Sequence, residues 1–447
     1  MRALALGLLA LLALPASAAS RGHFGGTLKL AVPGRVNLDA DPLYADTPLE
    51  LAQLSLIARP LCRVDRSGAL AADLAELGTS GPKSVVVTLR SGAGPHGLPL
   101  DAAFVSRVLK RAQTEPTPYR GLLLPLKSLP EGNDKLQLEL PLAFPFPDFA
   151  RALCHPALAM AWRADGKPTA KDGVGPFLPT LLANPLFPEG RPYADAVALT
   201  PTDVRGAERQ LAQRRVQVAL GTGPTDVPLP FATYLAFNSA RVGPQVRAAV
   251  EATVDRGDLT RFFVHPPAAP MPGLLPPTFG AVPEPARPAF PPVPAKKLTL
   301  LYDASAEDQR AVAERLQVKL HPAGFQVALQ GLARAELRAR WAAGDYELML
   351  TSVFLPSSAP AALGVVLELA HAPREKALER LAQLGAVADE KARERAALEQ
   401  STALKGELDL VPLYAQGLSV ATAPQAQHLV LGFDGVPLFD GVFLGQD

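Results

Sequence analysis

The sequence predicts an α/β protein divided into more than one compact unit, and three observations carry that expectation. Strand and helix signals are mixed in its first quarter, a Pro-rich stretch interrupts the chain past its middle, and behind that stretch strands and helices alternate regularly. At about 150 residues per domain, a chain of 447 residues suggests two or three units with sizeable cores. Two lobes fit.

Residues 28–32 alternate and are rich in apolar side chains, so they read as a first strand bounded by Gly25 and Gly26. Residues 48–61 carry apolar side chains at helical spacing behind Thr47, an N-cap residue. Residues 83–90 form a β-branched strand. A Gly/Pro turn over 92–99, containing His96, and a helix over 101–112 opened by Asp101 follow it. Of the 29 residues in 266–294, twelve are Pro. Pro removes the backbone donor and fixes φ, so this stretch is expected to run extended over the surface as a boundary, joining neither sheet nor helix. Beyond it come a strand (297–302), an amphipathic helix (306–320), a strand (325–330), a helix (335–343) and a strand (346–353), the order of parallel strands with crossover helices. Residues 374–405 are helical in pattern, and 410–414 and the last thirty residues revert to short strands and turns. No internal repeat of fixed period is present.

Residues 1–19 have the composition of a secretory signal: Arg2, an apolar run from Ala3 to Leu14, and small residues at Ala16-Ser17-Ala18. The run is shorter than the roughly 20 residues a membrane span needs, and no Cys follows it to carry a lipid. An exported, periplasmic protein without membrane insertion is expected. The chain has 44 Lys+Arg against 43 Asp+Glu, so loss of Arg2 with the signal leaves the charges balanced. Balanced charge implies neither a nucleic-acid nor an anionic-membrane partner. Cys62 and Cys154 are the only cysteines. An exported compartment permits a disulfide between them, and two separate buried thiols are the alternative.

Several short motifs then recur in a definite order: Gly25-Gly26-Thr27-Leu28-Lys29-Leu30; Thr88-Leu89-Arg90-Ser91-Gly92 with its Pro-containing turn; Gly173-Val174-Gly175-Pro176-Phe177; Tyr234-Leu235-Ala236-Phe237-Asn238; a helix from Val246 to Asp255-Arg256; Leu274-Leu275-Pro276-Pro277; Ala343-Gly344-Asp345-Tyr346-Glu347-Leu348; and Val411-Pro412-Leu413-Tyr414. This series resembles the extracytoplasmic solute-binding proteins of ABC importers, of the large peptide/nickel-binding type (family 5). The resemblance implies a two-lobed periplasmic-binding-protein fold (type II, large peptide-binding class) with a ligand cleft between hinged lobes. It also implies an ABC importer permease as partner, a monomer, no cofactor and no catalysis. Mapped on this chain, lobe I spans 20–265, a connector or hinge 266–295, lobe II 296–414, and 415–447 returns to lobe I.

The resemblance sets the candidate ligand-binding residues as Arg59, Phe237, Asn238, Phe354 and Tyr414. Arg59, in Ala58-Arg59-Pro60-Leu61, stands where the family often has Glu, and a guanidinium facing the cleft would favour a carboxylate or other anion. The loop Ser352 to Pro360 lacks the carboxylate that meets a peptide's α-amine in many members. Asn238 would hydrogen-bond at the cleft floor, and Phe354 and Tyr414 would form apolar walls.

A secreted hydrolase is the enzymatic alternative. The seven His residues show no H-E-x-x-H or other close metal spacing, and neither a G-x-S-x-G elbow nor a P-loop occurs. An exported sensory or scaffold protein on the same lobes is the other alternative.

Overall fold

A computed structural model describes residues 22–445 except 46, 66, 93–98, 165 and 283–295. The signal sequence, the His96 turn and the second half of the Pro-rich stretch lie outside the described residues. No helix among those described is long and apolar enough to cross a membrane.

The first lobe opens with β1 (Thr27–Pro33), which buries Leu28, Leu30 and Val32 on one face as its alternation dictates. Helix α1 (Pro48–Leu54) starts where expected: Thr47 Oγ1 accepts the Glu50 amide at 3.1 Å, and Pro48 occupies the first turn, where no backbone donor is needed. It stops earlier than its apolar spacing suggests. Pro60 disfavours helix at Arg59, whose amide instead donates to the Val174 carbonyl at 2.9 Å while its carbonyl accepts from Met160. An antiparallel sheet of β2 (Ala75–Gly78), β3 (Ser84–Leu89) and β4 (Gln137–Pro141) frames α2 (Ala102–Thr114), capped by Asp101 as predicted. A 3-10 turn (Pro118–Leu123) follows α2, and Cys62 and Cys154 form a disulfide with Cα atoms 4.6 Å apart. Then β5 (Ala196–Thr202), α3 (Val204–Ala212) and β6 (Val218–Leu220) complete a sheet in which β1 pairs in parallel with both strands.

The second lobe is built on one six-stranded sheet. Its strands and helices run β7 (Phe231–Phe237), α4 (Pro244–Thr253), α5 (Arg256–Phe262), β8 (Ala268–Pro270), β9 (Lys296–Asp303), α6 (Glu307–Leu320), β10 (Phe325–Leu332), α7 (Arg334–Ala343), β11 (Leu348–Phe354), α8 (Ala359–Leu369), α9 (Arg374–Gly385), α10 (Glu390–Leu404) and β12 (Leu410–Gln416). The strand order is β8-β12-β7-β11-β9-β10. The expected parallel pairs with helical crossovers are present, since β9 pairs in parallel with β10 and β11, while β7 pairs antiparallel with β11 and β12. Helices cover both faces. Leu235, Leu300, Leu348 and Val411 pack under α4 to α6, and the alternate residues Tyr234, Leu301, Met349 and Leu410 face the core shared with α8 to α10 and the first lobe. Finally β13 (Val420–Thr422) returns to pair with β6.

Three expectations differ from this arrangement. The sequence places the boundary and hinge in 266–295, yet β7 and β8 lie in one sheet with β9 to β12, and the chain crosses between the lobes at 221–230 and 417–419. Those crossings run side by side: the Gly221 amide donates to Ser419 O at 2.9 Å, and a Cβ on Gly417 would lie 2.1 Å from Pro228 O. The Pro-rich stretch also enters the sheet, because β8 is an edge strand, the position that tolerates proline. Residues 374–405 form two helices, broken before Asp389, which caps α10. Helix α8 was unanticipated.

Candidate functional site

A cavity of about 550 Å³ opens between the lobes. The first lobe contributes Tyr44 and Tyr119, the second contributes Phe231, Trp341 and Tyr414, and the crossing residues Gly221 and Gly417 border it. Its size suits a small molecule or short peptide, and aromatic walls with a few polar groups are the usual makeup of such sites.

Three of these rings are held by polar handles. Tyr44 ends a short 3-10 turn whose Asp41 cap is itself gripped by the Arg111 guanidinium, and its hydroxyl donates to Glu115 at 2.6 Å. Burial, then that bond to Glu115, pushes the Tyr44 phenol well above its ordinary range. Trp341 donates its indole N–H to the Leu369 carbonyl at 3.0 Å and stacks on His371 at 4.6 Å. The Tyr119 hydroxyl accepts the Phe354 amide at 3.1 Å. Tyr414 is turned toward the cavity where β12 shifts register against β7, between Pro412 and Tyr414.

The polar lining is largely engaged already. Arg334 donates to Asp303 at 3.0 Å and to Glu50 at 2.9 Å, and Arg338 donates to the Tyr44 carbonyl at 3.3 Å. Asp308 accepts from Gln416 at 2.9 Å and from the His265 amide at 3.1 Å, with His265 Nδ1 against its other oxygen. Glu208 meets only Thr222 at 3.3 Å, and Glu307, in the first turn of α6, makes no hydrogen bond or ion pair among the described residues.

Of the residues chosen from sequence, only Tyr414 borders this cavity. Arg59 is 2 % exposed and lies in a different place, its Nε 3.0 Å from Asp73 and its Nη2 2.9 Å from Asp440. Burial opposes its charge, but the Asp73, Asp440 and Asp434 carboxylates outweigh it and hold the guanidinium above its ordinary pKa. Asn238 caps the short helix Ser239–Val242 and donates to Gly344 O at 2.6 Å, a turn-holding role. Phe237 is buried under α4 to α6, and Phe354 is buried against His155, one residue from the cavity-lining Val353. Sequence reasoning missed Tyr44, Tyr119, Trp341, Arg334 and Arg338. In a chain with 2 Trp and 7 Tyr, each such ring is a usable signal.

No family model matches the chain, and no curated protein matches it in sequence. Solved structures do match. The periplasmic binding protein DppA from Helicobacter pylori, in complex with the peptide STSA, is 17% identical with a TM-score of 0.73, over 95% of this chain and 99% of that one. The fold is that of the large, two-lobed periplasmic binding proteins. The Escherichia coli murein tripeptide binding protein MppA is similar at TM-score 0.72 and 17% identity, over 94% of this chain and 99% of its own. The unliganded open form of MppA, 16% identical over 96% and 98% of the two chains, gives only 0.58.

Proposed function

We propose that this protein is an extracytoplasmic solute-binding protein. It captures a small, largely apolar or peptide-like ligand between its lobes and delivers it to the permease of an ABC importer. It works in the periplasm, after removal of residues 1–19, and performs no chemistry on its cargo. The observation that carries this reading is the aromatic-walled cavity, lined from both lobes and bordered by both chain crossings. A site so placed changes shape whenever the lobes move, which couples occupancy to a form that a transporter recognises. The similar proteins bind a peptide and are named for murein tripeptide binding, which supports the same assignment.

The anionic ligand suggested by Arg59 loses its basis, because that guanidinium is paired with Asp73 and Asp440 and does not line the cavity. Arg334 and Arg338 are likewise engaged, so the cleft offers rings and hydrogen bonds more readily than free positive charge. Native mass spectrometry of protein isolated from its own periplasm tests the assignment. A small molecule is expected to leave with the protein, and emission from Trp341 is expected to shift when a released ligand is added back. Protein that arrives empty and ignores the solutes of its own medium would overturn it.

A further inference from the structure

Of the three arginines on helix α7, Arg334 and Arg338 stand four residues apart and therefore on one face. Both reach across to the first lobe. Arg334 Nη1 lies 2.9 Å from Glu50 Oε2 on α1, while its Nε is held at 3.0 Å by Asp303 at the end of β9. Asp303 is fixed in turn by the Ser305 amide at 2.8 Å and hydroxyl at 2.6 Å, and Glu50 by Asn37 at 3.2 Å. Arg338 places its guanidinium carbon 4.6 Å from the centre of the Tyr44 ring and donates to the Tyr44 carbonyl. Its Nε also donates to the Arg334 backbone carbonyl at 3.3 Å, which fixes the Arg338 side chain against its own helix.

We propose that Arg334 and Arg338 form a latch that holds the lobes together across the cleft independently of any ligand. Each guanidinium is positioned by its own lobe before it meets the other, so closing costs little further side-chain entropy. The contacts are also reversible. Arg334 is 25% and Glu50 10% exposed, enough for water and salt to weaken the pair, unlike a fully buried one. Ligand entry then requires the latch to part, and its strength sets how often the cleft opens.

The test uses the full mature chain, stripped of ligand by unfolding in guanidinium and refolding, in small-angle scattering at low and at molar sodium chloride. The wild type is expected to be compact at low salt. Its radius of gyration is expected to rise in molar salt and in the double variant Glu50→Gln with Arg338→Ala. An unchanged radius in the double variant, with circular dichroism matching the wild type, would overturn the latch, as would a wild type already open at low salt. If the double variant fails to refold, Arg338→Ala alone and the wild-type salt titration give the same two readings. The transport assignment fails separately, through absence of a co-purified molecule.

Discussion

The two contacts between the lobes are built from opposite materials. Where α8 meets the 3-10 turn Pro118–Leu123, the backbones touch: a Cβ on Gly121 would lie 2.2 Å from the Gly364 carbonyl oxygen. Around that point Tyr119, His155 and Phe354 pack ring to ring, and Asp148 is buried between Arg393 and the Ser358 hydroxyl. Across the α7 contact the partners are arginine, glutamate and tyrosine, and the charged pair is partly exposed. Separating the first would strip a close-packed surface and expose buried charges; separating the second exchanges hydrogen bonds for hydration. The molecule thus has one side built to stay and one built to part.

The largest expected effect breaks the dry side. Asp148→Ala leaves the Arg393 guanidinium, 5% exposed, with only the Val387 and Ala388 carbonyls. Losing one partner of a buried pair costs about 3–5 kcal/mol, so a large fall in the urea midpoint is expected. A change within about 0.5 kcal/mol, the size of an ordinary surface substitution, would mean that the junction opens readily. Acid should strike the same place. His155 Nδ1 accepts the Ala157 amide at 3.1 Å, so Nε2 carries the proton and donates to Phe354 O at 3.0 Å. Burial lowers the His155 pKa to about 3. The unfolded chain, with its His near 6.5, therefore binds the proton first. Stability from neutral His155 is full above that value and is lost as pH falls, by roughly 3 kcal/mol at about pH 4.5. Unfolding midpoints of His155→Phe should lack that acid slope.

A smaller effect tests the backbone contact itself. Gly121→Val forces branched carbon into the Gly364 backbone, which has no rotamer to move, so overpacking of about 1–3 kcal/mol is expected in thermal melts. Arg338→Ala at the α7 contact should cost about 1 kcal/mol or less, within the range of exposed pairs and cation–π contacts. Equal losses for the two variants would erase the distinction between the junctions.

Much of the fold was legible because it is local. Period-two burial marked β1 and β9, Thr47 and Asp101 announced their helices by capping chemistry, and alternation behind the Pro-rich stretch predicted the parallel pairs. Helix α8 went unassigned, its start falling at the end of the loop read from Ser352 to Pro360. In fact Ser358 accepts the Ala361 amide as an N-cap, and Pro360 sits in the first turn, where its missing N–H costs nothing. The site was poorly legible. Tyr44, Arg334 and Trp341 are brought together by packing of segments about 290 residues apart in sequence, a relation that leaves no periodic mark. Arg59 misled because a substituted charge reads the same whether it faces a ligand or, as here, the buried Asp73 and the half-buried Asp440.

The smallest expected effect belongs to the cavity side and has the opposite sign to that of His155. His265 is 67% exposed, and its Nδ1 meets Asp308, which also accepts from Gln416. The hydrogen bond to Asp308 first, and then the Asp308 charge, raise the His265 pKa above its ordinary value. The folded protein therefore holds this proton more tightly than the unfolded chain does. Its contribution is complete below the unfolded value near 6.5 and fades as pH rises through the raised folded one. Subtracting the thermal midpoints of His265→Gln from those of the wild type across neutral pH should give a difference that shrinks with increasing pH, and that shrinks further in molar salt because solvent screens an exposed pair. A difference that grows with pH would show that His265 is neutral in the fold. The two sides of the cleft would then no longer respond to protons in opposite directions.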